Sequence, residues 1–184
     1  MEAHWRQLLD LATVAFEREQ AQALLVHAAT HDPLTGLANR ALFFSQLERM
    51  VQRVDAAVLY LDLDGFKAVN DRFGHASGDQ LLVKVARRVS DTVRPGDLVA
   101  RLGGDEFAVA ISGGGLDLAM ELAARLVTAL SAPLDHTRAT ESIGVSIGVA
   151  HWRPPQTAEE LVNEADRALL TAKQEHRGGV VVHA

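Results

Sequence analysis

Two adjacent carboxylates, Asp105 and Glu106, follow directly on the glycine pair Gly103-Gly104. Leu98-Val99-Ala100-Arg101-Leu102 lies before the pair and Phe107-Ala108-Val109-Ala110-Ile111 behind it, so the stretch predicts a hairpin whose glycines reach the positive φ of a tight turn. Successive strand residues face opposite ways, which gives Asp105 and Glu106 different neighbours and different work. Upstream, the apolar run Ala56-Ala57-Val58-Leu59-Tyr60-Leu61 ends in Asp62-Leu63-Asp64, with the two carboxylates sharing a face. Asp62, Asp64 and Asp105 would then meet at the ends of neighbouring strands. Oxygen donors without His or Cys suit Mg²⁺ or Mn²⁺, ions that bridge phosphate oxygens and neutralise charge on a transferred group. Taken alone, each set also fits a plain structural role: a solvated hairpin tip, or strand-end acids bonded to backbone amides.

A set of cations and polar groups accompanies these acids in the sequence. Lys67 follows a Gly65-Phe66 turn whose amides could face a phosphate chain. Lys173 and Arg177 are four apart on a helix end and project together. Asn70 and Asp79 offer an amide and a carboxylate, a pair able to read a guanine edge, though each also serves as a turn residue. An acidic chain, with a formal net charge of −6, needs local cations of this kind to hold a triphosphate.

The elements that position these groups are legible in outline. Residues 1–30 contain no Gly or Pro and predict one long helix. Its stripe of Trp5, Leu8, Ala12, Ala15, Glu19, Gln22, Val26 and Ala29 steps by three and four, which fits a coiled coil or a helix lying on its own domain. His31 to Arg40 is a polar connector bearing Pro33 and Gly36, with Asn39 placed as a helix cap. A helix is predicted from Ala41 to Arg53, then a strand apolar on both faces, as in a central strand covered on each side. Asn70 to His75 reads as a polar loop, Gln80 to Val93 as an amphipathic helix, and Arg94-Pro95-Gly96-Asp97 as a turn. Beyond the Gly113-Gly114-Gly115 joint come a helix from Leu116 to Ser131, a strand from Ser142 to Ala150, a capping box Thr157-Ala158-Glu159-Glu160 opening a helix to Gln174, and a last strand Val180-Val181-Val182. The expected order after the first helix is α-β-α-β-β-α-β-α-β.

Composition narrows the function classes. The 184 residues suit one domain and an appendage, and 48% hydrophobic content with few aromatics suits an Ala/Leu/Val-rich α/β core. With no cysteine, disulfides and thiolate metal sites are excluded, as a reducing cytosol would tolerate. No apolar run approaches the roughly 20 residues of a spanning helix, so no membrane role is expected within this chain. The negative charge argues against nucleic-acid binding, which wants a basic face.

Asp62-Leu63-Asp64-Gly65-Phe66-Lys67-Ala68-Val69-Asn70-Asp71, then Phe73-Gly74-His75, Gly78-Asp79 and Gly103-Gly104-Asp105-Glu106-Phe107, resemble the GGDEF family of diguanylate cyclases. Asp32 to Arg40 is similar to the family's opening motif, and Val145 to Ala150 and Ala165-Asp166 through Ala172-Lys173 to its closing ones. The likeness runs from residue 31 to about 183, which divides the chain into a signalling or dimerisation helix, 1–30, and a cyclase domain, 31–184.

The resemblance implies an α/β (α+β) fold of the nucleotidyl cyclase and polymerase palm type, a mixed central sheet flanked by helices. It implies that Asp62, the Leu63 carbonyl and Asp105 hold Mg²⁺ or Mn²⁺, that Glu106 supports catalysis, and that Gly103 and Gly104 let substrate approach the backbone. Phe66, Lys67, Lys173 and Arg177 would bind phosphates, and Asn70 and Asp79 guanine. Two GTP molecules would be joined into cyclic di-GMP with release of two pyrophosphates. Each domain would hold one GTP, so a homodimer is required, with an upstream sensory domain as partner and a bacterial cytoplasmic setting. Arg94 and Asp97 match the family's inhibitory R-x-x-D site for product, and Arg125 stands where some relatives place a second arginine. Leu170, where the family has Tyr, and His176 and Gly178, where it has Gly and Asn around Arg177, are departures that bear on the aim of Arg177. The competing reading is a catalytically silent domain that binds GTP or cyclic di-GMP and signals by contact.

Overall fold

The computed structural model describes residues 2–53, 55–132, 143–175 and 178–182. His176, Arg177 and Ser142, and the side chains of the first helix's predicted stripe up to Ala15, lie outside the described residues. The helices are α1 (Glu2–Thr30), α2 (Arg40–Val51), α3 (Phe66–Phe73), α4 (His75–Thr92), α5 (Gly115–Ser131) and α6 (Ala158–Glu175). The strands are β1 (Ala56–Asp64), β2 (Leu98–Gly103), β3 (Glu106–Ser112), β4 (Gly144–His151) and β5 (Val180–Val182). They form one five-stranded sheet in the order β2-β3-β1-β4-β5. Only β4 and β5 run parallel; β1 is antiparallel to both its neighbours.

The strand that is apolar on both faces lies at the centre. From Ala56 to Leu61 every residue of β1 is buried, because helices cover both sides of the sheet. Leu59, Leu61 and Leu63 face the layer formed by α4 and α5, with Phe107, Val109, Val145 and Ile147 beside them. Ala56, Val58 and Tyr60 face α2 and α6, packed with Phe43, Leu47, Leu161 and Leu169. Close approach of α6 depends on Gly148: a Cβ there would stand 2.0 Å from the Ala165 carbonyl oxygen and 2.2 Å from the Leu169 nitrogen. The helix that carries Lys173 is therefore seated by a glycine in β4.

Both predicted caps form. Asn39 accepts from the Leu42 amide at 3.0 Å, and the Thr157 hydroxyl accepts from the Glu160 amide while Glu160 accepts from the Thr157 amide. One element departs from expectation. The predicted polar loop, Asn70 to His75, is the second half of α3 and the start of α4, which opens at His75 rather than Gln80 and carries Asp79, so the order after α1 is α-β-α-α-β-β-α-β-α-β. Phe66, Val69 and Phe73 pack toward the α4 layer, and that packing makes a helix of a segment whose local sequence is mostly polar. Along the described part of α1, Phe16, Leu24, Leu25 and Val26 are 61%, 70%, 69% and 54% exposed, so these side chains do not lie on the domain. No helix among the described residues is long and apolar enough to cross a membrane.

Candidate active site

At the C-terminal end of β1 a cavity of about 480 Å³ opens between that strand, the β2–β3 turn, the start of α3 and the end of α6. Asp62, Leu63, Asp64, Gly65, Phe66, Lys67, Asp105 and Lys173 line it. The expected metal and phosphate-binding residues are thus brought together, apart from Arg177, which lies outside the described residues; Gly103, Gly104 and Glu106 are not among the lining residues. A larger concavity of about 640 Å³ near Arg153 and Arg167 gathers none of them.

Each contributor is placed by its element. Gly65 takes φ +84° and ends β1, so α3 starts abruptly and its first-turn amides at Phe66 and Lys67 have no side-chain cap. A helix N-terminus of this kind favours an anion. Asp105 lies in the turn itself, between Gly104 (φ +50°) and β3, rather than on the strand. Glu106 opens β3 opposite Asp62. The expected division between the two acids is found, although the turn, not strand alternation, produces it: Asp105 lines the cavity, while Glu106 accepts a hydrogen bond from the Tyr60 hydroxyl at 3.2 Å. Lys173 reaches across from α6 and sets its Nζ 2.7 Å from Asp62 Oδ2.

The electrostatics centre on Asp62. Burial pushes its carboxyl above the usual range; the Lys173 hydrogen bond and charge pull it down, and the Asp105 and Asp64 carboxylates push it up again, with a net upward result. A carboxylate held against its own desolvation beside two others is disposed to accept a cation. Among the described residues no three Asp, Glu, His or Cys side chains form a closed cage. Mg²⁺ and Mn²⁺ ask for less than that: one or two carboxylates, with water and substrate phosphates completing the shell. Asp62, Asp105 and the Leu63 backbone fit such an ion.

A second concavity of about 290 Å³, lined by Leu34, Asp79, Gln80, Val83 and Lys84, provides an apolar shelf edged by the Asp79 carboxylate. Asn70 is not among these lining residues. It stands on α3 against Gly78, where a Cβ would come 2.0 Å from Asn70 Oδ1 and 3.2 Å from Phe66 Cζ. Gly78 therefore fixes where the Asn70 amide lies.

Three supports were beyond the reach of sequence spacing. Arg101 Nη1 donates to both carboxylate oxygens of Asp32 at 3.1 Å, and its Nε and Nη2 donate to the Gly104 carbonyl at 3.0 and 2.8 Å, tying the turn to the segment after α1. Burial pushes the Asp32 carboxyl up, but the Thr35 hydroxyl and amide and Arg101 more than offset it and hold it below the usual range. Ser146, the fully buried polar residue of the described core, donates to both Asp64 oxygens at 3.0 Å and accepts from the Gly178 amide at 3.2 Å. Tyr60 is the third. Burial first, then the Glu106 charge and hydrogen bond and the Asp166 charge, push its phenol up to about 12 against the opposing charge of Arg40.

At the opposite end of β2, Arg94 Nε pairs with Asp97 Oδ1 at 3.1 Å and Nη2 donates to the Ser112 carbonyl. Arg125 of α5 donates to the Thr92 carbonyl, two residues from Arg94. The turn predicted for Arg94 to Asp97 is formed, and the second arginine stands beside it.

A model of the family described as diguanylate cyclase, GGDEF domain, matches residues 29–179. The diguanylate cyclase TpbB of Pseudomonas aeruginosa is 41% identical over 169 residues, 87% of this chain and 39% of its own length. The bifunctional diguanylate cyclase/cyclic di-GMP phosphodiesterase MucR of the same organism is 42% identical over 174 residues, 91% of this chain and 25% of its own length. The chain thus spans well under half of these curated relatives. Among solved structures, the coiled coil and GGDEF domain of Caulobacter crescentus DgcB, in complex with c-di-GMP, superposes with a TM-score of 0.89 at 28% identity, covering 99% of this chain and 100% of that one. The GGDEF domain of P. aeruginosa TpbB gives 0.78 at 39% identity, covering 84% and 94%. With the family model spanning most of its length and its signature turn set against the strand end that carries Asp62, this chain belongs to the GGDEF family of diguanylate cyclase domains.

Proposed function

We propose that the chain is a catalytically competent diguanylate cyclase that condenses two GTP molecules into cyclic di-GMP, releasing two pyrophosphates, as a homodimer restrained by its product. The observation that carries this reading is the convergence of Asp62, Leu63, Asp105, Lys67 and Lys173 on one strand-end cavity. A silent domain would have no call on an intact acid pair held this way.

When bound, Mg²⁺ or Mn²⁺ supplies charge neutralisation at the phosphates and eases deprotonation of the attacking hydroxyl. The chain's own residues do the rest. The first-turn amides of α3 and the Lys67 and Lys173 ammonium groups hold the triphosphate, with Arg177 as a further cation. Asp79 accepts from the guanine edge on the Leu34–Val83 shelf, and Asn70 donates to it from α3. Gly103 and Gly104, both exposed, let the nucleotide approach the turn without meeting a side chain. Glu106 stands opposite Asp62 and supports the reaction of the 3′-hydroxyl with the α-phosphate of the other GTP.

One cavity and one shelf serve one nucleotide, so the second reactant comes from a second domain. The exposed apolar side chains of α1 give the surface on which two copies pair, and an upstream sensory domain would set their disposition. Arg94 and Asp97, with Arg125 beside them, form the product-binding site that holds two domains apart.

The test is GTP turnover with Mg²⁺, read as cyclic di-GMP over a range of protein concentrations, in wild type and Asp105→Ala. Product formation is expected to rise more steeply than protein concentration and to vanish in the variant. No product at high concentration, with cyclic di-GMP still bound, would replace the cyclase by the receptor.

A further inference from the structure

On the sheet face toward α2 and α6, the buried middle is built from small and aliphatic groups, Val58, Ala108, Ala110, Gly148 and Ala150, and from Tyr60. Tyr60, 5% exposed at the middle of β1, is the only tyrosine in a chain that has six phenylalanines. For packing alone a phenylalanine would serve better, because a buried hydroxyl must find a partner or lose its hydration without return. The partner is Glu106 Oε2, at 3.2 Å.

Register explains how they meet. On β3, Ala108 lies opposite Tyr60 and Glu106 lies opposite Asp62, so Tyr60 and Glu106 are diagonal neighbours on one face. Diagonal positions are beyond the reach of small side chains but within reach of an aromatic ring. The ring has room to lean because its direct neighbours are Ala108 on β3 and Gly148 on β4. Two further charges face the phenol, Asp166 from α6 and Arg40 from α2. Glu106 needs such a hold. It stands where the β2–β3 register shifts between Arg101 and Gly103, next to a turn of two positive-φ glycines, and its side chain carries three rotors.

We propose that Tyr60 is a positioning residue for the Glu106 carboxylate, pinning it on the same face as Asp62 in the orientation used for turnover. This deepens the cyclase reading and rests on it. Tyr60 does not itself touch nucleotide: it is buried in the sheet and absent from the cavity lining. Its effect belongs to kcat rather than to GTP affinity, because Glu106 holds neither the phosphates nor the base in this arrangement.

Tyr60→Phe keeps the ring and removes only the hydroxyl, so it separates positioning from packing. The variant is expected to lose about tenfold or more in kcat, the range for one hydrogen bond to a charged acceptor. KM for GTP should stay within about twofold of wild type, the split expected when only a transition-state interaction is lost, and the melting temperature should not fall. A second arm needs no turnover. Because Tyr60 is the sole tyrosine, 3-fluorotyrosine labelling gives one ¹⁹F resonance, and Glu106→Gln is expected to move it. Unchanged kcat in Tyr60→Phe overturns the proposal, as does a resonance indifferent to Glu106→Gln. A loss of kcat matched by a fall in melting temperature would make Tyr60 a packing residue and overturns it too. If wild type makes no cyclic di-GMP, the cyclase reading fails separately, and the resonance alone decides whether Tyr60 holds Glu106.

Discussion

Lys173 is asked to do two things, and replacing it separates them. Its Nζ lies 2.7 Å from Asp62 Oδ2, with the two side chains 33% and 14% exposed. In the cyclase reading it also holds the triphosphate, while a metal takes the same Asp62. In that reading the ammonium and the cation compete for Asp62 Oδ2. Lys173→Met keeps the apolar stem and removes the charge. An exposed pair contributes about 0.2–1 kcal/mol and breaking a buried one costs about 3–5; this partly buried pair falls between, at about 1–2 kcal/mol. For a domain of this size that is a fall in melting temperature of about 2–8 °C. A hydrogen bond to a charged phosphate contributes about 1.5–3 kcal/mol, so GTP affinity should drop by roughly tenfold to 150-fold.

The sign of the metal effect is the discriminating part. With no ammonium competing for Oδ2, the same 1–2 kcal/mol is released to the cation, and Mn²⁺ should bind the nucleotide-free variant about fivefold to thirtyfold more tightly than wild type. Electron paramagnetic resonance of free Mn²⁺ measures this directly, and a fluorescent GTP analogue measures the other half. Opposite shifts, metal tighter and nucleotide weaker, are the expected result. If Mn²⁺ affinity falls with GTP affinity, Lys173 supports the metal site rather than competing for it, and the competition for Asp62 is refuted.

Asp62→Asn should abolish turnover without lowering the melting temperature of the metal-free protein. The raised Asp62 pKa means the fold prefers the neutral form: that stabilisation is full below the unfolded pKa and is lost as pH rises through the folded one, so at neutral pH a neutral amide removes a cost. By the same sign, Mn²⁺ affinity measured against pH should start to fall, on acidification, above the ordinary carboxylate range. Gly148→Ala should lower both stability and activity, because a Cβ at 2.0 Å from the Ala165 carbonyl must displace α6 and Lys173 with it. Thermal unfolding should show a loss of about 1–3 kcal/mol or more, the range for overpacking. Gly78→Ala should act differently, since the atom it meets first is the end of the Asn70 side chain. Its expected signature is a raised KM for GTP and poorer discrimination against ATP.

Where structure follows from local chemistry, it was legible in the sequence. The run from Ala56 to Leu61 is apolar on both faces because helices cover both sides of β1, and Asp62 and Asp64 stand out because they end it. Asn39 and the Thr157–Glu160 pair cap their helices through bonds made within a few residues. The eight-residue α3 was missed because it is too short for periodicity to declare itself, although Phe66, Val69 and Phe73 recur at helical steps between the boundary glycines Gly65 and Gly74. The supports of the site were missed for another reason. Tyr60 to Glu106, Arg101 to Asp32 and Ser146 to Asp64 span 46, 69 and 82 residues. No spacing rule reaches that far; strand register and chain topology decide those meetings. The residues expected to touch the ligand are therefore readable from type and turn chemistry, whereas the residues that hold them still become visible only once β1, β3 and β4 are aligned. That asymmetry bears on variants: a substitution at Tyr60, Arg101 or Ser146 leaves every signature residue intact and can still misplace one of them.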